Sequence, residues 1–366
     1  MKSITVTTLR SINFGAVLQS YAFHIFQKKL GIDNRVLDIG LLKNLYEKIS
    51  FKINKRFLIS LASNVMFFLH RNRTKRCFER FGQFVQENIQ TTKAYSGINE
   101  LRQDPPDADF FINGSDQVFS LRGRYDRERM LQFGDKSVRR YSYAASLGEY
   151  DWNDQEKHFF SNLLCGFNKI SVREKYAKEY IESFANVECE INIDPVFLLE
   201  RDEWDNVCAE RLIKDDYILC YPLLGNVNLQ VVLDELKKKT GLKIVSVQIN
   251  PIKRVKADVY FFDAGPREFL SLVKYSKIVV TTSFHGTAFS LIYEKPFFTL
   301  IKKYKAQRMT DLLESVGLEN RIYKGGILNN VFELDFSKCR KYICEERKKS
   351  FDYLRSIEND VMCISG

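Results

Sequence analysis

The sequence predicts an α/β protein built from two doubly wound halves, each a parallel sheet wrapped by helices, with a helix at the C-terminus. Three observations predict it. Strand, helix and strand patterns succeed one another between residues 3 and 39, the same unit recurs along the chain, and the last stretch is charged with a helical pattern. A length of 366 residues suits two domains. Their expected bounds are 1–205, 206–338 and, for the terminal helix, 339–366.

Taken in order, Ser3 to Leu9 alternates polar and apolar residues as a strand does, and Asn13 to Gly15 makes a turn. Val17, Tyr21, Ala22, Ile25 and Leu30 then recur at helical spacing, with Gly31 where a C-cap belongs. Arg35 to Ile39 is the next strand, and a βαβ unit of this kind requires a parallel pair. Further strands are expected at 108–113, 140–145 and 169–172, the last followed by a helix over 174–184. Asp194-Pro195 closes the first half, and the charged stretch from Glu200 to Asp216 reads as a connector. The second half repeats the scheme. Its strands are expected at 217–221, 243–247, 277–282 and 297–301, with helices over 228–239, 266–275 and 286–293. Cys339 to Asn359 reads as the long terminal helix. Two Rossmann-like doubly wound halves with such a helix resemble the glycosyltransferase-B architecture.

Composition narrows the class. Hydrophobic residues make up 45% and charged residues 28%, which is ordinary for a well-packed globular protein. A net charge of +10 points to anionic partners such as phosphates, nucleic acid or acidic lipid, without choosing among them. No two of the eight cysteines have C-x-x-C spacing, so buried reduced thiols are expected rather than a zinc or redox site. The N-terminus has no secretory pattern, which predicts a cytoplasmic protein.

Ligands of open α/β sheets bind beyond the carboxyl ends of the strands. The residues there are Asn13 and Gly15, Ser115 to Gln117, Arg173, and Ser283 to Gly286. His285 stands at the start of a helix, where free N–H groups and the dipole favour an anion. An imidazole there binds phosphate or donates a proton, or simply caps the helix. Gly286 permits close approach of a ligand to the backbone. Arg173 has the donor fork for a phosphate or carboxylate, with Glu174 as the competing internal anion. Asp116 either accepts a proton from a sugar hydroxyl or caps the following segment, and Asn13 has the same dual reading.

Together the stretches Asn13–Ala22 (NFGAVLQSYA), Asn113–Phe119 (NGSDQVF), Ser142–Gly148 (SYAASLG), Ser171–Glu174 (SVRE), Asp194–Val196 (DPV), Thr282–Ile292 (TSFHGTAFSLI) and Lys295–Phe297 (KPF) resemble the polysaccharide pyruvyl transferase family. The resemblance runs from about Ile4 to Gly317. It implies transfer of the enolpyruvyl group of phosphoenolpyruvate to two hydroxyls of one sugar, giving a cyclic pyruvate ketal and phosphate, with phosphoenolpyruvate as co-substrate and no further cofactor. It implies catalytic roles for His285, Asp116 and Arg173. Donor binding would fall to Arg173, Ser283, Phe284, His285, Gly286 and Arg308, and acceptor binding to Asn13, Gly15, Gln19, Ser115, Asp116 and Gln117. Some relatives carry an arginine where Ser283 stands. Lys302, Lys303, Lys305 and Arg308 are the candidates to replace that charge, Arg308 foremost. No residue spacing asks for a metal.

Between residues 43 and 76, nine basic residues against one acid bracket the uncharged run from Phe57 to Leu69. Its 13 residues are too few to span a bilayer, which takes roughly 20. The segment reads equally as an interfacial helix on an anionic membrane surface or as a core helix with solvated ends. A lipid-linked glycan acceptor favours the first, and with it a peripheral position on the inner face of the cell membrane. Two other functions remain open: a nucleotide-sugar glycosyltransferase of the same architecture, for which no acidic ribose-binding signature is seen, and a non-catalytic glycan-binding protein. Nucleic acid is not expected as a partner, since no binding motif accompanies the basic cluster.

Overall fold

The computed structural model describes residues 1–39, 71–120, 128–148, 152–223, 229–249, 255–301, 307–326, 328 and 330–363. The run from Phe57 to Leu69 and Lys302, Lys303 and Lys305 lie outside the described residues.

The first sheet holds β1 (Lys2–Val6), β2 (Asp33–Ile39), β3 (Thr91–Tyr95), β4 (Phe110–Asn113) and β5 (Arg139–Ser142), in the order β3-β2-β1-β4-β5. All pairs are parallel. Two short strands, β6 (Ile170–Val172) and β7 (Cys189–Ile191), extend it through bridges from Tyr141 to Lys169 and from Ala145 to Val172. The second sheet holds β8 (Tyr217–Tyr221), β9 (Lys243–Val247), β10 (Val259–Phe261), β11 (Ile278–Thr281) and β12 (Phe297–Thr299), in the order β10-β9-β8-β11-β12. Both sheets thus wind the same way, and each has its switch point at the carboxyl end of its first strand. The two halves and the returning terminal helix make the glycosyltransferase-B arrangement.

The central strands β4, β8 and β11 are buried throughout and largely apolar, as sheets covered on both faces require. The helix α1 (Phe14–Lys29) packs against both halves: Phe14 stacks on Phe269 with ring centres 4.6 Å apart and meets Phe81 at 5.2 Å. One apolar cluster therefore runs through both sheets. The stretch expected as a connector contains a short helix, Arg201–Asp205, whose Trp204 is fully buried against Phe289 and Tyr21. Its indole N–H donates to the Val196 carbonyl, so Trp204 anchors the connector to the core, while residues 208–216 are half-buried or exposed.

At the C-terminal end of the basic segment, residues 71–76 open a helix, α2 (Arg71–Asn88), that packs on α1 and also reaches the second half. Arg76 pairs with Asp263 at 3.1 Å, Arg80 donates to the Asp263 carbonyl at 2.7 Å, and Cys77 donates to the carbonyl of Ala264. Gly265 is packed so tightly on Arg80 that a Cβ there would stand 2.5 Å from the Arg80 Cβ. No helix among the described residues is long and apolar enough to cross a membrane. Of the cysteines, Cys77, Cys189, Cys220 and Cys339 are buried, but Cys165, Cys344 and Cys363 are exposed, against the expectation that most are internal.

The terminal helix, α11 (Ser337–Met362), returns to the first half. There the Tyr353 hydroxyl donates to the Ser142 carbonyl at 2.7 Å, Lys169 reaches Ser356 Oγ at 2.8 Å, and Tyr141 binds Asp360.

Candidate active site

Strand ends from both halves converge on Asp194. This residue follows β7 and caps the 3₁₀ turn Pro195–Phe197 through the Val196 N–H. Its Oδ2 pairs with Arg173, accepts from Ser115 Oγ at 3.4 Å, and lies 3.5 Å from His285 Nε2. Asp194 is 1% exposed. Burial alone would raise its pKa, but the charges of His285 and Arg173 hold it well below the usual carboxylate range.

Arg173 leaves β6 and lies between two acids. Its Nε donates to Glu174 Oε1 at 3.2 Å and its side chain is 4% exposed. Burial opposes its charge, yet Glu174 and Asp194 carry its pKa above the ordinary value. The competing internal anion is therefore real, and a second one accompanies it. Its Nη2 nevertheless has no hydrogen-bond partner, and neither do Glu174 Oε2 and His285 Nε2. Three polar atoms in one buried place are thus left for a ligand or ordered water to satisfy.

His285 lies in the first turn of the helix α9 (Phe284–Ile292), whose N-cap is Ser283: its Oγ accepts from Gly286 N–H at 3.3 Å. The helix begins two residues earlier than its apolar pattern predicts. Gly286 packs on Thr281, where a Cβ would stand 2.4 Å from Oγ1. Phe284, next to it, has the Arg173 guanidinium 4.7 Å from its ring centre and that of Arg308 at 5.3 Å. Arg308, on the helix α10 (Gln307–Ser315), makes no hydrogen bond or ion pair with any described residue. Burial, then the charge of Arg173, lowers its pKa. Arg173, Asp194, Phe284 and Arg308 line a cavity of about 280 Å³ that reaches the terminal helix.

The expected acceptor residues are divided. Asn13 caps α1, accepting from the Gly15 and Ala16 N–H groups at 3.0 and 3.4 Å. Gln19 is fully buried and donates to Thr7 Oγ1 and the Ala16 carbonyl. Ser115 faces Arg173 and Asp194. Asp116 adopts φ 78°, a left-handed conformation that costs energy in a non-glycine residue, and its carboxylate has no hydrogen-bond or ion-pair partner among the described residues. Its charge acts on both Arg173 and Arg308, which places it beside them. Gln117 packs on Gly148, whose φ of 70° only glycine takes readily. Among the described residues no group of His, Cys, Asp or Glu is placed to hold a metal ion. Asp194 was visible in the sequence only as the aspartate of an Asp-Pro pair; its partners come from strands 21 to 91 positions away in the chain.

The family model for polysaccharide pyruvyl transferase matches residues 13–301. The chain belongs to that family. Membership makes it a transferase of polysaccharide biosynthesis with a polysaccharide acceptor. Solved structures similar to it share little sequence. They include a UDP-GlcNAc 2-epimerase from Methanocaldococcus jannaschii (14% identity, 96% of this chain and 92% of that one, TM-score 0.47). The glycosyltransferase SnogD from Streptomyces nogalater is another (11% identity, 100% and 99%, TM-score 0.41). The ADP-heptose heptosyltransferase II of E. coli is a third (9% identity, 95% and 99%, TM-score 0.40). No curated protein matches the chain.

Proposed function

We propose that this polysaccharide pyruvyl transferase moves the enolpyruvyl group of phosphoenolpyruvate onto two hydroxyls of one sugar in a lipid-linked precursor, at the inner face of the cell membrane. The observation that carries the reading is the pair of guanidinium groups on the Phe284 ring, one of them, Arg308, in no ion pair with a carboxylate of the described residues. Two like charges sharing a desolvated place repel, and a ligand with both a phosphate and a carboxylate relieves that repulsion. Arg308 then supplies the charge that Ser283 does not.

In this reading Arg173 Nη2, Arg308 and the N-terminus of α9 hold the donor's anionic groups. His285 delivers a proton to the methylene carbon, which becomes the methyl group of the product. The cationic carbon so formed is attacked by one sugar hydroxyl, whose proton passes to Asp116. Departure of phosphate opens the carbon to the second hydroxyl. Of the two hydroxyl protons, one replaces that given to the methyl group and the other leaves with phosphate. The test is incubation with phosphoenolpyruvate and lipid-linked saccharides, read by mass spectrometry and phosphate release. A product heavier by one pyruvate ketal, with phosphate released only when acceptor is present, is expected. Phosphate release indifferent to acceptor, or no binding of phosphoenolpyruvate, would overturn the proposal.

A further inference from the structure

Glu174 and Asp311 line the 280 Å³ cavity together with Arg173 and Arg308. Each carboxylate uses one oxygen. Glu174 Oε1 accepts from Ser146 Oγ at 2.6 Å and from Arg173 Nε, and Asp311 Oδ1 accepts from Gln307 Nε2 at 2.8 Å. The other oxygens, Glu174 Oε2 and Asp311 Oδ2, are buried and have no hydrogen-bond partner. Glu174 as a whole is 2% exposed. A buried acceptor left unmatched is costly, so the two together ask for an occupant that donates to both.

Ionised carboxylates only accept hydrogen bonds, so the occupant must donate twice. An ammonium group would donate, but the lining holds four acids and four bases, so no added cation is called for. A hydroxyl donates without charge. The two carboxylates feel one another: burial first, then the charges of Glu314 and Glu174, pushes the Asp311 carboxyl above its ordinary range. Ile191, Leu312 and Tyr342 add the apolar wall against which a sugar ring packs. The volume is near the lower end, roughly 300 Å³, of small-molecule pockets, enough for the reacting edge of one ring.

We infer that this cavity is the subsite for the sugar diol, with Glu174 Oε2 taking one hydroxyl and Asp311 Oδ2 the other. The inference deepens the proposed function, since a cyclic ketal needs two hydroxyls of one ring presented together. It adds the wall shared with α10 to the acceptor residues expected on the first half.

The test measures binding of methyl hexopyranosides and their singly deoxygenated analogues to wild type, Glu174→Gln and Asp311→Asn by saturation-transfer NMR, with phosphoenolpyruvate binding followed by calorimetry. In wild type, deleting either of two particular hydroxyls should weaken binding about tenfold, the worth of one charge-assisted hydrogen bond. Glu174→Gln should remove most of the penalty for one deletion and Asp311→Asn that for the other, while phosphoenolpyruvate still binds. Binding of no hexopyranoside, or the same deletion pattern in all three proteins, would overturn the subsite. Failure of wild type to bind phosphoenolpyruvate with the deletion pattern intact would instead remove the pyruvyl-transfer reading and leave the diol site standing.

Discussion

Gly15 and His285, from opposite halves of the molecule, are packed so closely that a Cβ on Gly15 would stand 2.0 Å from His285 Nδ1. No side chain other than hydrogen fits there without moving the imidazole. Gly15→Ala should therefore displace His285 and cut transfer roughly 100-fold, as misplacement of a reacting group by about 1 Å does. Steady-state kinetics with folding followed by circular dichroism checks it; unchanged turnover in a folded variant would show that the contact does not position the imidazole.

Arg173 carries two loads, one toward the ligand and one toward the fold. Arg173→Ala leaves Glu174 as an unpaired buried charge and Asp194 with His285 alone, a loss of about 3 kcal/mol or more, so this variant should lose stability as well as activity. Arg173→Lys keeps the charge but not the fork, and should remain folded while transferring poorly. Thermal melts of both variants beside their activities decide the matter, and an Arg173→Ala protein as stable as wild type would contradict the buried network.

Arg308 should behave in the opposite way. Its half-buried charge is repelled by that of Arg173 and offset by those of Glu174 and Asp116 without a direct ion pair among the described residues, so Arg308→Ala should lose little stability. It should bind phosphoenolpyruvate about 10- to 150-fold more weakly, the worth of one hydrogen bond to a charged group. Calorimetric titration with a parallel melt separates these effects. Full donor affinity in the variant would return the missing charge to one of the lysines at 302, 303 and 305.

Membrane attraction has to be tested without disturbing the contact between the halves. Arg76 pairs with Asp263, so reversing it would strain the fold. Arg73 and Lys75 are exposed and suited to the purpose. Reversal of both to glutamate should weaken sedimentation with vesicles containing anionic lipid, by on the order of 1 kcal/mol per residue at low salt. Added salt should shrink the difference. Equal sedimentation of variant and wild type would assign these residues to solvated surface.

The sequence was most legible where one period governs many residues. β8 and β9 lie where alternation and apolar runs predict them, because buried parallel strands need nothing but apolar side chains. The short strands β7 and β10 carry three residues each, too few for a period to emerge. Trp204 was hidden by charged neighbours that face solvent while it faces the core. The loops around the cleft were legible as places, since strand ends set them, but the partners of each side chain were not. Asn13 Oδ1 and Gln19 Nε2 have the chemistry of ligand-binding groups and spend it on their own half. Asp194, Glu174 and Asp311 look like ordinary acids until the fold removes water from around them.

The terminal helix has a consequence for how the protein is made. Tyr141 and its partner Asp360 are 219 positions apart, and Tyr353, Leu354 and Ile357 belong to the same apolar cluster as Tyr143. During synthesis the first half leaves the ribosome with that flank uncovered, and it stays so until the second half and the helix beyond it have emerged. At about 5–20 residues per second, this is an interval on the order of ten seconds or more in which apolar surface awaits its cover. A chain cut short before residue 353 would have both sheets and still lack one wall of the first, which makes such fragments natural clients of chaperones and proteases.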